Sequence, residues 1–168
     1  MGQLAPHKGP GVVLRAFAIA RDRLAERGVR AQLQLFGAAP SGRFETYARA
    51  LVEQLPEGAS IEPAYEAGDA PQVLAQVDAV VVPSLWDENA PLVCLEARAA
   101  GVPIAGSRVP GIAEVVDEGL HGRLSEPGDV EGLARALVGV LDLPPVPRGL
   151  PVELDAHVDQ VLALYGGA

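Results

Sequence analysis

The chain has little that would let it be stapled, threaded through a membrane or laid along a polyanion. Its 168 residues include one cysteine, Cys94, so no internal disulfide forms and a reducing compartment suits it. The formal net charge of −9 argues against nucleic acid or an anionic membrane surface as the main partner. No apolar run reaches membrane-spanning length and no signal-peptide pattern is found, so a cytoplasmic protein is expected, with a peripheral place at a membrane left open to its parent. Zinc-spaced Cys/His clusters, a Walker loop, a nucleophile elbow and a carboxylate-rich metal loop are all missing, and no metal or cofactor is expected. Aromatic residues make up only 4 % of the chain, so its core must be aliphatic.

What is present suits an α/β layer fold, whose strands are buried on both faces and read as aliphatic runs. The length fits one domain over residues 1–168. Helical spacing from Gly11 carries Val12, Val13, Ala16, Phe17, Ala20 and Leu24, with Gly28 as a stop. Alternation over Ala31 to Phe36 predicts a strand, and Gly37 to Gly42 a turn. A helix is predicted from Arg43 to Leu55 with Phe44, Tyr47, Leu51 and Leu55 on its core face. An extended piece follows over Ser60 to Tyr65, then a short helix over Pro71 to Gln76. Further along come a short helix over Ile112 to Val116, a turn and strand over Gly119 to Leu124, and a helix capped by Asp129. Residues 144–151 hold prolines enough for an extended connector, and a last helix is predicted over 155–165.

The centre of the chain is the stretch Pro83-Ser84-Leu85-Trp86-Asp87-Glu88-Asn89-Ala90-Pro91-Leu92-Val93-Cys94-Leu95-Glu96-Ala97, followed by Gly101-Val102-Pro103-Ile104. It reads as strand, loop, helix, strand, with Asn89 as N-cap, Pro91 in the first helical turn and Gly101 at the helix end. Such a unit sets the helix N-terminus at the carboxyl edge of a parallel sheet, where open α/β sheets bind ligands. Glu88 and Glu96 then flank unpaired amides near Ala90, Pro91 and Leu92, about 10 Å apart along the helix axis. Those amides suit a phosphate or pyrophosphate, and the two carboxylates suit sugar hydroxyls on either side. Each acid also has an ordinary explanation, Glu96 as a solvated helix charge and Glu88 as an acid near a helix start.

Glu88 and Glu96, with seven residues between them in that setting, resemble the Glu-x7-Glu signature of family-four retaining glycosyltransferases. The resemblance runs from Lys8-Gly9 to Tyr165 and implies a three-layer Rossmann-like domain with a mainly parallel sheet, the C-terminal, donor-binding half of a GT-B fold. It implies transfer of a hexose from a nucleotide diphosphate sugar with retained configuration, Glu88 at the sugar and Glu96 at the ribose. Lys8 matches a phosphate-gripping lysine, but the family arginine five residues earlier is Gln3 here, a neutral donor in place of a bidentate cation. His7 is either a source of compensating charge or an ordinary loop residue. Gly37 stands as a nucleotide-loop residue or a plain turn glycine, and Gly111 as part of a glycine loop near the diphosphate. Tyr65 reads as an aromatic packed on the sheet or one stacked on the base, and Arg108 as a surface-loop residue or an added charge near the diphosphate. An N-terminal acceptor domain, absent here, is the implied partner. The alternatives are a non-catalytic nucleotide-sugar binding module and a structural or partner-docking domain.

Overall fold

A computed structural model describes residues 2–38 and 44–150, together with 158, 159 and 163. Among the described residues six strands alternate with helices. They are β1 (Gly2–Gln3), α1 (Pro10–Glu26), β2 (Leu33–Ala38), α2 (Glu45–Glu53), β3 (Ala59–Glu62), α3 (Ala70–Leu74), β4 (Val80–Val82), α4 (Leu92–Ala100), β5 (Ile104–Ser107), α5 (Pro110–Ala113), β6 (Gly122–Ser125) and α6 (Val130–Gly139). Every strand pairing is parallel, with Leu35 opposite Ile61, Gly2 opposite Gly37, Val81 opposite Ala105 and Gly106 opposite Leu124. The hydrogen-bonded order is β1-β2-β3 in one sheet and β4-β5-β6 in a second.

Helices cover both faces, as parallel strands require. Adjacent residues of β5 show this directly. Ala105 points into a core with Val13, Phe17, Leu33, Leu133 and Val140, while Ile104 points into another with Leu74, Cys94, Ala97 and Ile112. The first core carries α1, α2 and α6 and takes side chains from both sheets, Leu33 and Leu35 from one and Val81 from the other. The second lies under α3, α4 and α5. All four residues of β5 are buried, so the strand has no room for polar alternation.

The two sheets meet at their carboxyl ends. A 3-10 turn over Pro6–Lys8 leads out of β1, and Gly9 follows with φ +72° as the N-cap of α1. A Cβ on Gly9 would sit 1.9 Å from the carbonyl oxygen of Pro83, just after β4. The amide of Leu85 donates to the carbonyl of His7 at 2.8 Å. Glycine is needed at position 9 for its backbone angle and for its lack of bulk.

Several boundaries differ from the sequence reading. The Asn89 N-cap does not form: Pro91 itself occupies the cap at φ −66°, ψ 117°, without a side-chain cap bond, and α4 starts at Leu92. An Asn89 cap would make Ala90 the first helical residue, and the residue before a proline is pushed out of the α region. Gly101 does close α4, in the left-handed conformation, and Asp129 caps α6 by accepting from the Gly132 amide at 2.9 Å. Pro110 starts α5 two residues before the predicted Ile112, as a proline in the first turn allows. Gly37 lies within β2 rather than in the turn after it, and residues 39–43 lie outside the described residues. Residues 144–150 carry no helix or strand and pass α4, where the amide of Gly149 reaches the carbonyl of Arg98 at 3.4 Å. The helix expected over 155–165 lies outside the described residues except at 158, 159 and 163, which are helical.

Replacing Gly9 with alanine is expected to cost about 2 kcal/mol or more, from the left-handed backbone and the contact with Pro83. Chemical denaturation of Gly9→Ala against Gly28→Ala separates the two effects. Gly28 has a similar φ of +74° but nothing within 4 Å of its missing Cβ, so it reports the backbone penalty alone.

Candidate functional site

The loop after β1 brings Lys8 onto the loop after β4. Its Nζ lies 2.7 Å from Oε1 of Glu88, across a sequence separation of 80 residues. The same oxygen accepts from Nε1 of Trp86 at 3.3 Å and from the hydroxyl of Ser84. Ser84 is buried, and the Glu88 side chain is only 12 % exposed. Burial pushes the Glu88 carboxyl up, but bonds from Lys8 and Ser84, the Lys8 charge and the bond from Trp86 together bring it below its ordinary value.

Lys8 also lies 5.5 Å from the Trp86 ring centroid, and the His7 ring sits 4.5 Å from the same indole. Residue 88 is held from the backbone side as well. A Cβ on Gly111, in the first turn of α5, would lie 2.1 Å from the Glu88 carbonyl oxygen and 2.4 Å from that of Asn89. Gly111 therefore shapes this loop through close approach, although its φ is not in the left-handed region.

The tip of α4 is open. Among the described residues the amides of Leu92 and Val93 donate to no protein group, while those of Cys94 and Leu95 both turn back to the Pro91 carbonyl. Ala90 is exposed, Pro91 half-buried and Leu92 67 % exposed, so nothing large caps the tip. Glu96 is half-buried one turn beyond Leu92 and lies within electrostatic reach of Tyr65. Burial, and next the Glu96 charge, push the Tyr65 hydroxyl up. Tyr65 packs edge-on against Phe36 at 5.4 Å, so both aromatics stand by the carboxyl ends of β2 and β3. At its far end α4 is anchored by Arg98, whose Nη1 donates to the Val115 carbonyl at 2.6 Å.

The structure thus brings Lys8 and Glu88 together and sets the amide tip of α4 beside them. Among the described residues no hydrogen bond or ion pair joins Glu96 to Lys8 or Glu88, and its charge acts on Tyr65. Gly37 is buried in β2, and no contact joins it to Lys8 or Glu88 among the described contacts. Arg108 is committed elsewhere, to Glu118 at 2.7 Å and Glu126 at 3.4 Å. Ser84 and Trp86 were not foreseen as site residues. The available signal was Ser84 standing four residues before an acid, which means little until the loop's path is known.

Among the described residues no group of three or more His, Cys, Asp or Glu side chains is placed to hold a metal ion, and no helix is long and apolar enough to cross a membrane. Cys94 is fully buried in the second core, and burial, with the nearby Glu88 charge, pushes its thiol up to about 12.

Parallel strands, helices on both faces and an open helix tip at the carboxyl edge define a Rossmann-like domain of the kind found in GT-B glycosyltransferases. A solved structure of the Anabaena protein HepE in complex with UDP-glucose superposes with a TM-score of 0.70 at 26 % identity, over 83 % of this chain and 36 % of that one. The chain belongs to the glycosyl transferases group 1 family, whose model matches residues 1–142. It is 34 % identical over 146 residues to a D-inositol 3-phosphate glycosyltransferase of Corynebacterium glutamicum, covering 84 % of this chain and 34 % of the relative. It is 37 % identical over 143 residues to a glycogen synthase of Thermus thermophilus, covering 85 % of this chain and 30 % of the relative. The chain therefore spans about a third of the length of these curated relatives.

Two outcomes are expected. Cys94 should resist a thiol-specific disulfide reagent in the native chain and react on unfolding, because an inaccessible neutral thiol is a poor nucleophile. The Glu88 carboxyl is depressed, so its contribution to stability is complete above the ordinary value of about 4.5 and is lost as pH falls through the lowered one. Acid unfolding of Glu88→Gln should show a shallower pH dependence below that point than the unsubstituted chain.

Proposed function

We propose that this chain is the donor-binding half of a retaining glycosyltransferase that moves a hexose from a nucleotide diphosphate sugar to an acceptor. The observation that carries the reading is the Lys8–Glu88 pair, 2.7 Å across, at the carboxyl edge of the sheets beside the free amides of α4. A diphosphate seated there, beside Ala90 and Pro91, takes hydrogen bonds from the amides of Leu92 and Val93 and charge from Lys8. Both favour the departing diphosphate, whose charge grows as the glycosidic bond breaks. Glu88 positions the sugar and Glu96 the ribose, with Gly37 lining the nucleotide side and Gly111 the diphosphate side. A lysine and a helix tip neutralise the diphosphate, so the reading assigns no metal. Its setting is cytoplasmic.

The acceptor, in this reading, is held by a second, N-terminal GT-B domain of the parent protein. Support comes from the share of its relatives that this chain spans, 34 % and 30 % in the two cases above. The chain by itself is then expected to bind donor without transferring sugar. Gln3, where the resemblance calls for an arginine, favours a second reading of the same site, a nucleotide-sugar binding module without catalysis.

Calorimetry of the chain with UDP-, ADP- and GDP-glucose tests the first step, starting with UDP-glucose because HepE was solved with it. One of the three is expected to bind, and Lys8→Ala to weaken it by about tenfold or more, the scale of a lost charge-assisted hydrogen bond. Glu96→Ala should weaken the nucleotide sugar and its nucleoside diphosphate alike. Absence of binding for all three donors would leave a structural or partner-docking domain. Binding by the parent protein without transfer to any acceptor would favour the non-catalytic module.

A further inference from the structure

We propose that Ser84 and Trp86 are positioning residues: they hold one carboxylate oxygen of Glu88 so that the other is presented to the sugar hydroxyls of a bound donor. The inference rests on the donor-binding reading and adds to it the groups that aim its sugar-side acid.

The bonding of Glu88 is one-sided. Oε1 accepts from Lys8 Nζ at 2.7 Å, from Trp86 Nε1 at 3.3 Å and from the Ser84 hydroxyl. Among the described residues no hydrogen bond reaches Oε2. An ionised carboxylate has about four acceptor positions, two on each oxygen, so three donors crowd one oxygen and leave the second its full capacity. The backbone that carries Glu88 has little room to move, because a Cβ at Gly111 would lie 2.1 Å from the Glu88 carbonyl oxygen and 2.4 Å from that of Asn89.

Ser84 and Trp86 have different claims to the role. Ser84 is 2 % exposed, and a hydroxyl so buried needs a partner; the side-chain bond it makes goes to Glu88. Trp86 is 52 % exposed, yet its ring is fixed by its own N–H on Glu88 and by His7 against it. Lys8 cannot fill the same role once a donor is bound. Its ammonium is a point charge on a flexible stem, and in the donor-binding reading it is shared with the diphosphate. The groups that stay with Glu88 throughout are then the hydroxyl and the indole. Among the described residues the ionisable groups coupled to this carboxylate are Lys8 and Cys94, with the His7 ring 4.5 Å from Trp86 behind them; the thiol, pushed up to about 12, stays neutral at ordinary pH.

Two measurements test the proposal. The first is the titration of the Glu88 side-chain carboxyl, followed by carbon-13 NMR in the ligand-free chain. Its midpoint is expected to rise in Ser84→Ala and in Trp86→Phe, and to fall back in Ser84→Thr, which restores a hydroxyl. The second is calorimetry with UDP-glucose and with UDP, which separates grip on the sugar from grip on the diphosphate. In Ser84→Ala the preference for UDP-glucose over UDP should fall about tenfold with UDP affinity unchanged, and Ser84→Thr should recover it.

An unchanged Glu88 midpoint in both Ser84→Ala and Trp86→Phe overturns the proposal, whatever the chain binds. So does a parallel loss of UDP and UDP-glucose affinity, which would mean a general collapse of the site. If the unsubstituted chain binds neither, UDP is not its nucleotide and the carboxyl titration alone decides whether Ser84 and Trp86 hold Glu88; ADP and GDP pairs then replace UDP. Should Ser84→Ala fail to fold, Trp86→Phe carries both measurements.

Discussion

Everything at the carboxyl edge depends on how closely two loops approach. The turn after β1 passes beneath the carbonyl of Pro83 with room for no side chain at Gly9, and a backbone hydrogen bond from Leu85 to His7 ties the loops together. No strand ladder joins the two sheets among the described residues, so this junction and the first hydrophobic core do the joining. Lys8 comes from the first sheet and Glu88 from the second. Their meeting is a consequence of the junction, and a wider gap there would leave a largely buried acid short of a cation.

The electrostatics follow. An acid that is 12 % exposed stays ionised only if donors repay its lost hydration, and Glu88 has three of them on one oxygen. A chain with a net charge of −9 therefore concentrates positive potential locally, through one ammonium and the amides of a helix tip. The open tip of α4 is a product of Pro91. The proline's extended backbone is ordinary for an N-cap residue, but its side chain has no acceptor to offer, so the first amides of the helix remain uncommitted.

Features governed by near neighbours were legible in the sequence. The apolar spacing of α1, the left-handed Gly101, the Asp129 cap and the aliphatic strands all follow from rules that act within a few residues. The same rules place Glu88 outside α4 and Glu96 within it. Applied in full, they would also have excluded the Asn89 cap, since the effect of Pro91 on Ala90 is local. What local rules do not contain is the approach of segments far apart in the chain. Lys8 read as a phosphate-gripping cation without a protein partner because that partner lies 80 residues away, and Ser84 read as part of a loop because its burial depends on that same approach. The division of the strands into two sheets belongs with these, because pairing between segments far apart in the chain is not a local property.

Trp86 carries one more consequence. It is the chain's single tryptophan, and it stands half-exposed with its indole N–H on the Glu88 carboxylate. Near-ultraviolet emission excited at the red edge of protein absorption therefore arises from one chromophore, seated on the acid at the centre of the site. A bulk optical signal from this protein is in effect a spectroscopic readout of a single loop.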